Sequence, residues 1–299
     1  MLKTGLFFGK RGHRSQIEGL LFILPYTFLW GFFLIGPLAY GFFISLHKWD
    51  PLRGSKFIGL ANYVKLFRSP IFWNAFFNTF EFAGIAVPLI IILGLVFALL
   101  MQRMSIRGGR FIEASLFFPY LLTVSIVSLV WKWLFDPDVG LVLYYSSRLG
   151  LHLPTFLADK FWALPAIAFA TAWWLAGYRM VIFKAAMGDI PPELYESAEL
   201  DGAGGYKKFR HITLPLLRPA ILFALILTTI SGFRVFGQVI MMTAGGPGRS
   251  SEVLALYLFR RGFDYLQMGL AAAVGFILFV IILIITVISF RFLGFESRL

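Results

Sequence analysis

The sequence predicts an all-α, polytopic membrane protein with six transmembrane helices and a helix-turn-helix loop on the cytoplasmic side. Two observations lead to this fold class. Hydrophobic residues make up 59% of the 299 residues and charged residues only 14%, whereas a soluble domain has roughly 25% charged residues. Apolar runs of about 20 residues also recur along the chain, and each can cross a hydrocarbon core of ~30 Å.

Six spans account for these runs. The first, 17–46, contains Pro25 and Pro37, where we expect kinks. The other five are expected at 75–101, 111–134, 164–187, 216–242 and 266–290. We expect residues 1–16 to form an N-terminal cytoplasmic tail and 17–299 to form one transmembrane domain.

The basic residues indicate the orientation. An even number of spans places both termini on one side of the membrane, together with the short loop 102–110. That loop, "QRMSIRGGR", has three Arg and no acid, and Lys and Arg are enriched in short cytoplasmic loops. The sequence therefore predicts that both termini are cytoplasmic. The same rule explains the net charge of +12 better than binding to nucleic acid does.

Motifs for catalysis are missing from the sequence. It has no Cys, no Gly-x-x-x-x-Gly-Lys-Ser/Thr phosphate loop and no Gly-x-Ser-x-Gly turn. The four His are scattered and have no metal-ligand spacing. Glu81 follows Asn78 and Thr79, and we interpret it as a hydrogen-bonded acid near a helix start. The alternative, a buried proton relay in an ion-coupled carrier, stays open.

The loop 188–215, which we call the coupling loop, is the longest internal stretch too polar for a bilayer. Pro191 and Pro192 suit the first turn of a helix, and the acids that follow favour its N-terminal half. "DGAGG" then predicts a sharp turn at Gly202, and "YKKFRHITLP" predicts a second, basic helix. A rigid exposed helix of this kind favours docking of a soluble partner over a solvated connector.

The coupling loop resembles the "EAA" loop of ABC-importer permease subunits, which has Glu-Ala-Ala, three residues, Gly, and then nine residues before Ile-x-Leu-Pro. Here Glu196-Ser197-Ala198 precedes Gly202, and Ile212-Thr213-Leu214-Pro215 follows. Ser197 replaces the middle Ala. The stretches "WKWLFDPDVG" and "MMTAGGPG" are similar to the carbohydrate-uptake branch, in particular to shorter relatives of the first permease subunit of maltose and glycerol-3-phosphate importers.

This resemblance implies a type I importer fold and roles for the coupling loop. Glu196 would anchor the loop on an ATPase by charge, Ser197 and Ala198 would permit close approach, and Gly202 would make the turn. We expect Asp201 to cap the second helix. The implied partners are a second permease subunit, two ATPase subunits that bind ATP and Mg, and an extracytoplasmic solute-binding protein. The chain itself would bind no cofactor, catalyse no reaction and lie in a bacterial or archaeal cell membrane.

Candidate residues for the substrate path lie on two spans. In the fourth span, Thr171, Trp174 and Tyr178 share one helical face near the membrane centre. The fifth span has a comparable face, formed by Thr228, Ser231, Gly232, Val235 and Gln238. Rings and hydroxyls suit sugars, although such residues also serve helix packing. The resemblance places the substrate face at these positions, but the maltose-type relative has Asn where this chain has Thr171, Gly232 and Val235.

Arg234 is expected inside the fifth span, where an Arg is costly. It could recognise an anionic group, or it could pair with an acid of the second permease. The leading hypothesis is therefore a permease subunit of a sugar or oligosaccharide importer. The alternatives are an importer for glycerol-3-phosphate, another polyol phosphate or an anionic sugar, and a membrane-embedded enzyme.

Overall fold

The computed structural model describes residues 13–51, 54–102 and 106–292. Most of the expected tail, 1–16, therefore lies outside the described residues. Within the described part the chain is mostly helical, with one two-stranded hairpin. Four helices are long and apolar enough to cross a membrane, and the number of spans is six if each of two bent helix pairs counts as one.

The first span consists of α1 (His13–Trp30), a π turn (Gly31–Ile35) and α2 (Gly36–Ser45). The wide turn ends just before Pro37, which has no N–H and whose ring would clash with the carbonyl four residues earlier. Only α2 packs closely on the rest of the molecule, against the last helix. The large side chains between Leu21 and Ile35 are exposed.

The segment after the first span forms an unpredicted hairpin. Strands β1 (His47–Asp50) and β2 (Gly54–Phe57) pair antiparallel, with Lys48 opposite Lys56. Only the turn signal at Asp50–Pro51 indicated a change of direction in the sequence. Helix α3 (Ala61–Phe67) follows the hairpin and leads to α4.

The second and fourth spans form the centre of the molecule. Helices α4 (Pro70–Gln102) and α8 (Ala163–Gly188) are the most extensively packed pair, and the buried clusters are built around them. Close approach requires glycine here, because a Cβ on Gly94 would lie 2.6 Å from the Cβ of Arg179. Glu81 is exposed in the middle of α4, so the interpretation as an acid near a helix start is wrong.

The third span is not the continuous helix that the sequence suggested. Helix α5 (Ile106–Phe117) and a 3-10 turn (Phe118–Leu121) meet α6 (Val124–Leu134) at an angle of 101°. Pro119 lies in the 3-10 turn, and the Thr123 hydroxyl accepts a 3.4 Å hydrogen bond from the Ile126 amide at the start of α6. Helix α7 (Leu141–Arg148) and a 3-10 turn (Phe156–Ala158) then lead to α8.

The fifth span is also broken. After α9 (Pro192–Leu200) and α10 (Gly205–Lys208), a π turn (Phe209–Thr213) and α11 (Leu214–Leu216) meet α12 (Arg218–Phe233) at a bend of 64°. Helix α13 (Gly237–Met242) is separate from α12. The chain ends with α14 (Leu254–Phe259), a π turn (Arg260–Asp264) and the sixth span, α15 (Met268–Phe292).

Candidate functional site

The coupling loop is a helix, a tight turn and a second helix. Pro191 precedes α9 in an extended conformation, and Glu193 lies in its first turn, where a negative charge is favourable. Glu196 and Ser197 are exposed, and Ala198 is half-buried.

The turn is made at Gly202, whose φ is +72°. The amide of Gly202 donates to the Glu199 carbonyl at 3.0 Å, and the amide of Ala203 donates to the Ala198 carbonyl at 2.8 Å. This pair of bonds is a Schellman motif, which requires a left-handed residue just past the helix end. Asp201 directly follows Leu200, the last residue of α9, as its C-cap, whereas the residue before α10 is Gly204. The expectation that Asp201 caps the second helix is therefore wrong.

Two side-chain contacts fix the angle between the helices of the loop. Lys208 forms an ion pair with Glu199 across the turn. The Tyr195 and Thr213 hydroxyls lie 3.0 Å apart. At the tip, Leu200 is 91% exposed and Tyr206 is 77% exposed. Large apolar side chains are therefore presented outward on a rigid support.

A cavity of about 550 Å³ separates the coupling loop from the end of the second span. Its walls include Leu99 and Gln102 of α4 and Tyr195 and Phe209 of the loop. The end of α4 and the coupling loop therefore lie at the same end of the molecule, as expected when two spans, the third and the fourth, lie between them.

The candidates on the fourth span have different surroundings. Thr171 is buried, and its hydroxyl donates to the Ile167 carbonyl at 2.8 Å. Trp174 is half-buried, and its indole N–H donates to the Leu122 carbonyl at 3.2 Å, directly at the break in the third span. Tyr178 is half-buried and stacks on Tyr120 with the ring centroids 4.6 Å apart.

The candidates on the fifth span divide in the same way. Thr228 and Val235 are buried, and a Cβ on Gly232 would lie 3.1 Å from Val87 of α4. Ser231 is exposed, and Gln238 is half-buried on α13. Within this chain, the accessible candidates on both spans are therefore Trp174, Tyr178, Ser231 and Gln238.

Arg234 lies at the end of α12, in the break before α13, and is exposed. The expectation of an Arg inside a continuous span is therefore wrong. Within the described part of the chain, Arg234 has no ion-pair partner.

Sequence reasoning missed the role of Arg179. This side chain is 5% exposed among α4, α8 and α12. Its Nε donates to the Thr228 hydroxyl at 2.8 Å, and its guanidinium lies 5.0 Å from the ring centroid of Tyr178. An Arg inside an apolar run was the available signal, but the sequence did not reveal its partner on another span.

In the described ranges, no group of three or more His, Cys, Asp or Glu side chains is arranged to hold a metal ion.

Comparisons with known proteins identify the family to which this architecture belongs. The family described as "Binding-protein-dependent transport system inner membrane component" matches residues 61–294. The chain is 32% identical to a probable ABC transporter permease protein, YurN, of Bacillus subtilis, over 94% of this chain and 97% of that protein. It is 33% identical to the sulfoquinovosyl glycerol transport system permease protein SmoG of Agrobacterium fabrum, over 93% and 90%.

Two further comparisons agree with this family. The trehalose/maltose transport system permease protein MalF of Thermococcus litoralis is 32% identical, over 94% of this chain and 95% of that protein. A chain of the crystal structure of a bacterial ABC transporter that imports the acidic polysaccharide alginate has the same fold, with a TM-score of 0.82, 24% identity and coverage of 95% and 98%. The chain thus belongs to the family of binding-protein-dependent transport system inner membrane components, the non-catalytic permease subunits of ABC importers.

Proposed function

We propose that this permease subunit forms half of the translocation pathway of an importer for sugars or oligosaccharides. The observation that carries the proposal is the rigid coupling loop, with Leu200 and Tyr206 exposed at its tip. A fixed turn and an outward apolar surface are what a mechanical contact with an ATPase needs. Glu196 is exposed to anchor the contact by charge, and Ser197 and Ala198 are small enough for close approach.

The partners follow from the same architecture. The exposed large side chains between Leu21 and Ile35 of the first span offer a surface to a second permease subunit, with which the chain would form a heterodimer. Two ATPase subunits would bind ATP and Mg. A solute-binding protein would deliver the substrate, in keeping with a similar solved transporter in complex with its alginate-bound periplasmic protein. With the coupling loop and both termini in the cytoplasm, the delivery side is the opposite end of the molecule.

The substrate class is proposed from the accessible rings and from the relatives. Trp174 and Tyr178 on the fourth span supply aromatic groups, and the exposed Ser231 and half-buried Gln238 on the fifth span and α13 supply polar groups. This combination suits the apolar faces and hydroxyls of a sugar. The buried candidates would hold these accessible side chains in position through helix packing: Thr171, Thr228, Gly232 and Val235. Relatives are named for trehalose/maltose and for sulfoquinovosyl glycerol.

An anionic sugar or a polyol phosphate is the second candidate. Arg234 is exposed at the break of the fifth span, where a guanidinium can bind a carboxylate or phosphate through two hydrogen bonds. One group of relatives is named for sn-glycerol-3-phosphate transport. In the Arg234→Gln variant, loss of uptake of acidic sugars with uptake of neutral ones kept would favour this candidate.

The experiment for coupling compares two glycines of one loop. Gly202→Val places a β-branched residue at a φ of +72°, whereas Gly204→Val changes a residue in extended backbone with open space around it. We expect Gly202→Val to lose the co-purifying ATPase and substrate uptake but to keep the second permease subunit. Gly204→Val should keep all three. Retention of the ATPase by both variants would overturn the proposal.

A further inference from the structure

A polar cavity of about 670 Å³ lies at the end of the molecule opposite the coupling loop. It is open on one side and is lined by the β1–β2 hairpin, by α3 and by the first turn of α15. The proposed transport function uses none of its residues.

The walls of the polar cavity are built rigidly. The Asn62 amide donates to the carbonyls of Ser45 at 2.7 Å and His47 at 2.9 Å, and thereby ties α3 to the start of the hairpin. Gly269 of α15 fits directly under the hairpin, since a Cβ there would lie 1.9 Å from the His47 carbonyl oxygen. This close packing holds three elements in fixed positions around the cavity.

The charge of the cavity favours an anion. Lys48 and Lys65 line it and are exposed, against one acid, Asp50. Lys48 also lies directly opposite Lys56 in the hairpin, and like charges at opposed positions destabilise a strand pair. An anion bound beside Lys48 would offset that repulsion.

Gln267, just before α15, also lines the cavity. Its side-chain carbonyl oxygen accepts no hydrogen bond from any described residue, but it is fully buried and is not exposed to the cavity. The groups of the cavity that can bind an anion are therefore Lys48 and Lys65.

An apolar groove of about 540 Å³ adjoins the polar cavity. It runs between α2 and α15, along small residues such as Gly41, Ala272 and Gly275, with Phe276 in its wall. Both helices belong to membrane-spanning segments, so the groove lies at the depth of lipid chains. Trp49 lines both the cavity and the groove, and indole rings are enriched at this boundary of the membrane.

We infer that the polar cavity and the apolar groove together bind one phospholipid of the leaflet opposite the coupling loop. The phosphate lies between Lys48 and Lys65. One acyl chain follows the groove past Gly41 and Gly275. The inference depends on the membrane depth of the helices and on no property of the transported substrate.

The probe is phosphatidylglycerol, added to the purified, delipidated importer complex, with bound lipid counted by native mass spectrometry. Lys48→Gln with Lys65→Gln removes both cationic groups that face the phosphate and should weaken binding by about tenfold or more. Lys132→Gln is the matched control, because Lys132 is exposed at the end of α6 and lines neither space. It should leave binding unchanged.

A second variant tests the groove. Ala272→Phe fills it, and should reduce binding of long-chain phosphatidylglycerol while leaving a short-chain form with the same headgroup unaffected. Unchanged helical content and melting temperature show that each variant is folded. Equal lipid retention by the wild type, the double Lys variant and Ala272→Phe would overturn the proposal. So would efficient cross-linking of Ala272→Cys to the second permease subunit, since protein would then cover the groove.

Discussion

The Nε of Arg179 donates a 2.8 Å hydrogen bond to the hydroxyl of Thr228 and so joins the fourth span to the fifth. Both side chains are buried, and the hydroxyl of Thr228 in turn donates to the Ala224 carbonyl at 2.6 Å. One guanidinium nitrogen of Arg179 has no partner among the described residues. A buried charge with few partners is costly, so the bond to Thr228 matters more than an ordinary interhelical contact.

Thr228→Val should therefore destabilise the protein by about 1–3 kcal/mol, because it leaves the Nε of Arg179 buried without an acceptor. Thr228→Ser should keep most of the stability. The measurement is the free energy of unfolding in micelles with increasing sodium dodecyl sulfate. Ser231→Ala is the control, since that hydroxyl is exposed and bonds only within its own helix. Equal losses for Thr228→Val and Ser231→Ala would contradict the prediction.

Gly177 should tolerate no side chain. A Cβ at this position of α8 would lie 2.0 Å from the Leu116 carbonyl oxygen of α5, so Gly177→Ala must push the third and fourth spans apart. Overpacking of this kind costs about 1–3 kcal/mol. The Gly84→Ala variant adds a methyl to open space on α4 and should be as stable as the wild type. A thermal unfolding series on both variants distinguishes the two cases, and equal midpoints would refute the close approach.

Glu252 should contribute far more stability than another paired Glu. It is 2% exposed, and Arg260 donates to it at 2.9 Å. Glu252→Gln leaves that Arg without its counter-charge, at a cost of about 3 kcal/mol. Glu113→Gln removes the partner of Lys184 at a half-exposed position and should cost at most about 1 kcal/mol. A larger loss of unfolding free energy in Glu113→Gln than in Glu252→Gln would contradict this prediction.

Asp136 should make the turn after α6 sensitive to acid. Its carboxylate accepts from the amides of Asp138 at 3.0 Å and Val139 at 3.1 Å, and the bonds from Val139 and then Asp138 lower the pKa of Asp136 below its ordinary value. Because the folded-state pKa is lowered, the stabilisation is present above the unfolded-state pKa and is lost as the pH falls through the lowered value.

Hydrogen exchange of the Asp138 and Val139 amides measures this effect. Their protection should fall as the pH is lowered through the acidic range. An Asp136→Asn variant keeps an acceptor oxygen but cannot titrate, so its protection should not depend on pH in that range. The same pH dependence in wild type and Asp136→Asn would exclude Asp136 as the cause.

The sequence predicted spans well where a single helix runs between clear end signals. The fourth span, expected at 164–187, is α8 (Ala163–Gly188) because Asp159 and Lys160 precede it and Pro191 follows. The break in the third span was not predicted, although Pro119 was a local signal. The apolar run is continuous there, and the break is stabilised by contacts from α8, a neighbour that hydrophobicity does not identify.

The same distinction holds at the candidate site. The turn at Gly202 was predicted because a glycine cluster between two helical patterns is local information. The faces of the fourth and fifth spans followed from helical spacing, which identifies residues on one face but not the neighbour that covers them. Thr228 shared a face with Ser231 in the prediction. In the structure one of these hydroxyls is buried under Arg179 and the other is exposed.

The indole N–H of Trp174 holds the Leu122 carbonyl at the 101° break of the third span. A carbonyl freed inside a bilayer needs such a donor, so the position of this ring and the geometry of the break are thermodynamically linked. A ligand that bound more tightly with the bond made than with it broken would, by reciprocity, shift the balance between those two states to the same degree. If Trp174 lines the proposed substrate path, one side chain would thus couple the occupancy of that path to the backbone of a neighbouring span.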